Sequence, residues 1–189
     1  MRVSLSQSRG SRATPPHIGF GWKLGGTTRK GPKHYLSWFF YFMKLLIQRV
    51  KKASVRIEEE VTGTIDKGLV IFISISKDDL EDYNEKIDYL IRKVLTVKFF
   101  EEPEKKFSKN IKEIDGKVLV ASQFTLDGRV KKGTKPDFSQ AALPVDAEKI
   151  YNKFVKALRS EIEVETGKFG AYMQVELVND GPVTFYINK

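Results

Sequence analysis

Cysteine is absent from this 189-residue chain, and both of its histidines, His17 and His34, lie in the first 42 residues. Residues 43 to 189 therefore offer no disulfide, no thiolate nucleophile, no Ser-His-Asp triad, no Cys-His pair and no His- or Cys-ligated metal. Any hydrolysis there must use Ser, Thr, Lys, carboxylates, backbone dipoles or groups of the substrate itself. Acidic residues are also missing from the start, the first being Glu58. The best apolar run, Leu36 to Ile47, falls short of the roughly 18 residues of a membrane span and contains Lys44, so no membrane role is expected. Internal repeats, a P-loop and a dinucleotide fingerprint are all lacking.

What is present divides in two. The net charge of +9 is concentrated in residues 1 to 42, where Arg2, Arg9, Arg12, Lys23, Arg29, Lys30 and Lys33 meet no acid, so seven of the nine charges sit there and two remain for the rest. Nucleic-acid contact by the body must then come from a local patch. The segment is rich in Ser, Arg, Gly and Pro without periodicity, which predicts disorder to about Lys33. Three origins stay open: an upstream start codon with Met43 as the effective beginning, an organellar transit peptide, or a basic RNA-binding arm. Tyr35 to Phe42 is aromatic enough to be sticky if exposed. The expected organisation is a basic extension over 1–42 and one domain over 43–189.

From Lys44 the apolar period is two. Leu45, Ile47, Val55 and Ile57 alternate with polar residues, Glu58 to Glu60 turns, and Val61 to Ile65 returns as a hairpin. After an Asp66-Lys67-Gly68 turn, Leu69 to Ile75 reads as a strand buried on both faces. Asp78-Asp79 opens a helix with Leu80, Tyr83, Ile87, Leu90, Ile91 and Val94 on one face. Thr96 to Phe100 is strand-like, Glu101 to Asn110 a charged loop around Pro103, and Lys117 to Phe124 a central strand. Leu126 to Pro144 is a long loop with Gly128, Gly133, Pro136 and four basic residues, either functional or simply solvated. Asp146 caps a second helix with Ile150, Tyr151, Phe154, Val155, Leu158 and Ile162 inward. Two last strands, Tyr172 to Val178 and Val183 to Ile187, follow. The fold class expected is α+β, with a mostly antiparallel, barrel-like sheet of six or seven strands and two amphipathic helices.

Two stretches carry chemistry. Asn179-Asp180-Gly181-Pro182-Val183-Thr184 reads as the turn of a hairpin, and its Gly-Pro pair suits a stiff tip poor in side chains. Ala121-Ser122-Gln123-Phe124-Thr125-Leu126 ends a hydrophobic strand in two hydroxyls and an amide, either to satisfy the strand end or to line a site whose backbone amides stabilise an oxyanion.

In order and spacing, Ser122-Gln123-Phe124-Thr125-Leu126, Gly133-Thr134-Lys135-Pro136-Asp137-Phe138-Ser139, Gly167-Lys168-Phe169-Gly170-Ala171-Tyr172-Met173 and Asn179 to Thr184 resemble the D-aminoacyl-tRNA deacylases, with Ile47-Gln48-Arg49-Val50 and Ala53-Ser54-Val55 at the opening. The resemblance covers about residues 43 to 189. It implies a cytoplasmic homodimer without cofactor or metal that cleaves the ester of D-aminoacyl-tRNA, and also glycyl-tRNA mischarged on tRNA-Ala, with the terminal ribose hydroxyl of the tRNA assisting. It implies that Gly181 and Pro182 form a Gly-cis-Pro chirality filter entering the other subunit. Ser122, Gln123, Phe124 and Thr125 then line the pocket, with Ser122, Gln123 and Thr125 as the catalytic candidates. Phe138 and Met173 are its walls, and Arg49 braces the Gly-Pro loop. The competing expectation is a non-catalytic, dimeric RNA-binding module of the same fold.

Overall fold

The computed structural model describes residues 42–131 and 133–189. The expected disorder before Lys33, both histidines, and the Tyr35 to Phe42 run up to its last residue lie outside them.

The strand that three others pair with is β1 (Lys44–Ile57), hairpinned to β2 (Glu60–Ile65) through a turn in which Glu58 takes a left-handed φ of 53°. Next, β3 (Gly68–Ser74) follows β2 along the same edge of β1, so Asp66 and Lys67 form a bend and not a reversal. The strand is buried on both faces, as its unbroken apolar run predicts. A 3-10 turn (Lys77–Asp79) leads to α1 (Tyr83–Thr96), which starts later than the Asp78-Asp79 pair suggests and runs on to Thr96.

The expected charged loop is instead a small hairpin of β4 (Phe100–Glu102) and β5 (Lys105–Lys109). Lysine faces glutamate across it, Lys109 Nζ lying 3.0 Å from Glu102, and Glu104 turns with φ 66°. The central strand β6 (Lys117–Ser122) stops one residue before Gln123, and Phe124–Asp127 winds into a 3-10 turn. Then α2 (Pro144–Arg159) begins at Leu143-Pro144 and not at Asp146, because proline's fixed φ and missing N–H suit a first helical position. Short β7 (Val164–Thr166) precedes β8 (Gln174–Asn188).

Two expectations need correction. The sheet is mixed and not mostly antiparallel: β2, β3 and β8 pair antiparallel with β1, but β3–β6 and β6–β7 are parallel. Each parallel pair is joined by a crossover containing one of the helices, the connection that parallel neighbours require. Nor is there a hairpin at Asn179 to Thr184. Strand β8 runs continuously along β1, pairing Asn179 with Val50 and Thr184 with Gln48, so residues 180 to 183 are extruded opposite the single residue Arg49. The Gly-Pro tip is therefore a large bulge in one strand, anchored on both sides by the same neighbour.

Both helices cover one face of the sheet. Ile87, Leu90, Val94, Phe154 and Leu158 meet Leu45, Ile47, Leu69, Ile71, Val118 and Val120 there. A second cluster of Val50, Ala53, Val55, Ile65, Val70 and Leu119 fills the inside of the curl. A further bulge at Lys51-Lys52 shifts the phase of β1, putting Ala53 and Val55 on the same side as Val50. The curl brings β2 against β7 so closely that a Cβ on Gly63 would lie 2.9 Å from the Thr166 carbonyl oxygen. The result is an α+β domain with a nearly closed, barrel-like sheet.

Candidate active site

The carboxyl ends of the parallel strands β3 and β6 open into a cleft of about 570 Å³, where ligand sites of such sheets gather. Ser122 and Gln123 line it from the end of β6, Phe124 from the 3-10 turn, Phe138 and Ser139 from the long loop, Leu143 and Pro144 from the start of α2, and Phe169 and Gly170 from the segment before β8. Among the described residues, Lys77 is the one ionisable side chain in the lining, and no carboxylate contributes to it.

The polar strand end is held by main-chain bonds. Gln123 N–H donates to the Ile73 carbonyl at 2.8 Å, and Leu126 N–H and Gly128 N–H close the turn on Gln123 and Thr125 at 3.1 and 2.9 Å. Thr125 lies beside the cleft, its Oγ1 accepting from Gln123 Nε2. With that lone pair engaged, the threonine hydrogen is available to donate outward. Phe124 is 58 % exposed and stacks edge-on against Phe138, with centroids 5.2 Å apart.

Beneath the turn is a polar network that sequence reasoning missed. The buried Asp127 accepts from Lys44 Nζ and Ser74 Oγ, and from Ser76 Oγ at 2.6 Å. It pins the turn carrying Phe124 and Thr125 to the ends of β1 and β3. In the sequence, Asp127-Gly128 looks like loop punctuation, and no local signal shows that its partners lie more than fifty residues away. Across the sheet, burial first and the Asp127 charge second raise the Tyr186 phenol above its ordinary range.

The Gly-Pro bulge is built from a separate set of contacts. Arg49, 5 % exposed, donates Nε–H to the Asp180 carbonyl at 3.0 Å and Nη1–H to the Phe99 carbonyl at 2.9 Å, and its Nε lies 3.4 Å from the Asp180 carboxylate. Asn179 Oδ1 accepts from Val183 N–H at 2.9 Å across the bulge. The Gly181–Pro182 bond is cis, and Gly181 has φ 130°, a conformation that L-residues rarely adopt. Both tip residues are exposed.

Of the residues singled out from the sequence, the structure gathers Ser122, Gln123, Phe124 and Phe138 in the cleft with Thr125 beside them. Gly181, Pro182 and Arg49 form the bulge, which does not line this cleft. Met173 packs on the second hydrophobic cluster and is likewise not in the lining.

Residues 46–188 match the sequence model of the family described as D-Tyr-tRNA(Tyr) deacylase. The chain belongs to that deacylase family. It is 46 % identical over 145 residues to a D-aminoacyl-tRNA deacylase of Aliivibrio salmonicida, covering 77 % of this chain and 99 % of that one. A D-aminoacyl-tRNA deacylase of Vibrio vulnificus is 47 % identical over the same length. Among solved structures, the c-Myc DNA unwinding element binding protein superimposes with a TM-score of 0.71 at 40 % identity, covering 78 % of this chain and 99 % of that one. A probable eukaryotic D-amino acid tRNA deacylase does so at 0.67 over 79 % and 100 %, and at 17 % identity it speaks for the fold alone.

Proposed function

We propose that this protein hydrolyses the ester of D-aminoacyl-tRNA, releasing the D-amino acid and free tRNA, as part of translation quality control. Beyond family membership, the observation that carries the reading is the cleft's chemistry. Its lining is apolar apart from hydroxyls, one amide and Lys77, with no imidazole, thiol or carboxylate to act as a base. Such a site suits a substrate that is already activated and brings its own proton-transfer group. An aminoacyl ester with a neighbouring ribose hydroxyl is one, and orientation supplies much of the acceleration. Gln123 and Thr125 orient the ester, and main-chain N–H groups at the strand end favour the developing oxyanion.

Discrimination falls to Gly181 and Pro182. Because the bulge stands apart from its own cleft, the filter is supplied by the second subunit of a homodimer. Two observations favour such pairing. Phe124, Leu143, Val145 and Tyr172 are 58, 65, 80 and 91 % exposed, and water-facing apolar groups near a site call for cover. Among the described residues, β8 also pairs only with β1, leaving its outer edge open. A filter that excludes an L-side chain by bulk has nothing to push against in glycine, so glycyl-tRNA mischarged on tRNA-Ala passes as well. Lys77 and the basic loop of Arg129, Lys131 and Lys135 meet the acceptor-end phosphates.

Incubation with D-tyrosyl-tRNA tests this reading against a non-catalytic RNA-binding dimer. The deacylase reading requires ester loss well above the spontaneous rate, whereas binding without ester loss supports the alternative.

A further inference from the structure

The backbone nitrogen of Met43 faces more acceptors than an amide can serve. It lies 2.8 Å from Asp79 Oδ1 and 3.0 Å from the main-chain oxygen of Lys189, and a peptide N–H has one hydrogen to divide between them. The Asp79 side chain is fully buried, and it also accepts from Ser76 N–H at 2.7 Å and Lys86 Nζ at 2.8 Å. Lys86 in turn lies 2.8 Å from Asp82. Two carboxylates thus share one ammonium beside Met43, the Asp79 one fully buried and the Asp82 one half-exposed, so Lys86 alone does not neutralise the pair. Burial holds the Asp79 carboxyl above the ordinary carboxylate range in spite of Lys86, the mark of a charge incompletely compensated.

A single positive charge with several hydrogens at the Met43 nitrogen would correct both deficits. We propose that Asp79 and the main-chain oxygen of Lys189 form a receptor for a free α-ammonium on Met43, and that the mature chain begins there, by initiation at Met43 or by removal of the preceding residues. An α-ammonium has three hydrogens, so it serves both acceptors at once, and its charge balances the Asp79–Lys86–Asp82 group. The terminus must be Met43 and not Lys44, because the Met43 side chain is fully buried in the main core. The bond from Ser76 Oγ to the Phe42 carbonyl is long, at 3.3 Å, and that hydroxyl has Asp127 Oδ1 at 2.6 Å as its nearer acceptor. The relatives agree: 145 aligned residues account for 99 % of their length, so whole proteins of that size fold without a counterpart to the preceding stretch.

The test compares residues 43–189 bearing a free α-amine with the same chain acetylated at that nitrogen, which restores an amide. Charged partners favour the ammonium, so its pKa is raised by folding; the stabilisation is complete below the unfolded value of about 7.7–8.0 and is lost as pH rises through the folded value. The free-amine form is therefore expected to show the higher Tm at pH 7 and to lose that advantage by pH 10. By NMR, its α-amine should titrate about one unit or more above the ordinary value. Asp79→Asn should abolish the shift, and if that variant does not fold, the acetylated chain remains the comparison. An α-amine that titrates normally, or equal Tm values at pH 7 with and without acetylation, would overturn the receptor. Active protein isolated from its own cells and found by mass spectrometry to carry residues before Met43 would overturn the second half of the proposal.

Discussion

Among single residues, the proposed discrimination and the proposed chemistry fall to different groups. The proposed discrimination falls to Gly181, whose φ of 130° together with a hypothetical Cβ lying 2.7 Å from Val183 Cγ2 and 3.1 Å from Arg49 Nη2 leaves little room for a side chain. Gly181→Ala should displace the tip without unfolding the domain, because the bulge is exposed. A misplacement of about 1 Å costs on the order of 100-fold, so kcat/KM on D-tyrosyl-tRNA should fall by tens to a hundredfold at nearly unchanged Tm. Wild-type turnover in a folded variant would make the bulge structural only. In the proposed mechanism the chemistry rests with the substrate. Thr125→Ala leaves Gln123 to orient the ester and should keep substantial activity, whereas a tRNA ending in 2′-deoxyadenosine should lose roughly 10²–10⁴-fold, the usual contribution of a positioned proton-transfer group. The opposite ranking would make Thr125 a catalytic group in its own right.

At the scale of elements, the helices and their strands supply the rigidity under the cleft. Tyr151 on α2 donates its O–H to the Val120 carbonyl at 3.1 Å, and its ring stacks at 5.5 Å on Phe169, which lines the cleft. Burial pushes its phenol up to about 12. Because the folded value is raised, the neutral hydroxyl's contribution is present below the unfolded value of about 10 and is lost as pH climbs toward 12. Wild-type protein should lose stability in that window more steeply than Tyr151→Phe, as followed by denaturant unfolding. Equal slopes would place the Tyr151 hydroxyl in contact with water. The inward faces of both helices and the doubly buried β3 were legible because burial against a sheet imposes a period of 3.6 or an unbroken apolar run. The parallel pairing of β6 was less so: it follows from crossover helices, which a strand-by-strand reading does not register. The Gly-Pro bulge was read as a hairpin because Asn-Asp-Gly-Pro carries the same local signal in both settings. Only the common partner β1, some 130 residues away, distinguishes them. Hairpin β4–β5 was hidden by its charge, since a small exposed hairpin needs no apolar alternation. Ser122 to Thr125 were legible because polar residues closing an apolar strand break its pattern. Asp127 was not, because its partners are remote in sequence.

At the scale of the whole molecule, the buried residues of both clusters run, among the described residues, from Met43 to Val164. Residues 43–189 should therefore fold and deacylate at the full-length rate; an insoluble or inactive truncation would give the first 42 residues a structural role. Chelators should leave activity unchanged, since the described residues contain no group of His, Cys, Asp and Glu side chains fit to hold a metal ion. Activity abolished by EDTA and restored by a divalent ion, with tRNA folding controlled, would contradict this. The central claim is that the protein removes D- but not L-aminoacyl groups from tRNA by means of a filter presented across a dimer. Its most direct test follows ester loss from matched D- and L-tyrosyl-tRNA under single-turnover conditions. The account predicts rapid loss of the D-ester while the L-ester decays at its spontaneous rate. Equal rates for the two esters, or none above the spontaneous rate for either, would contradict it.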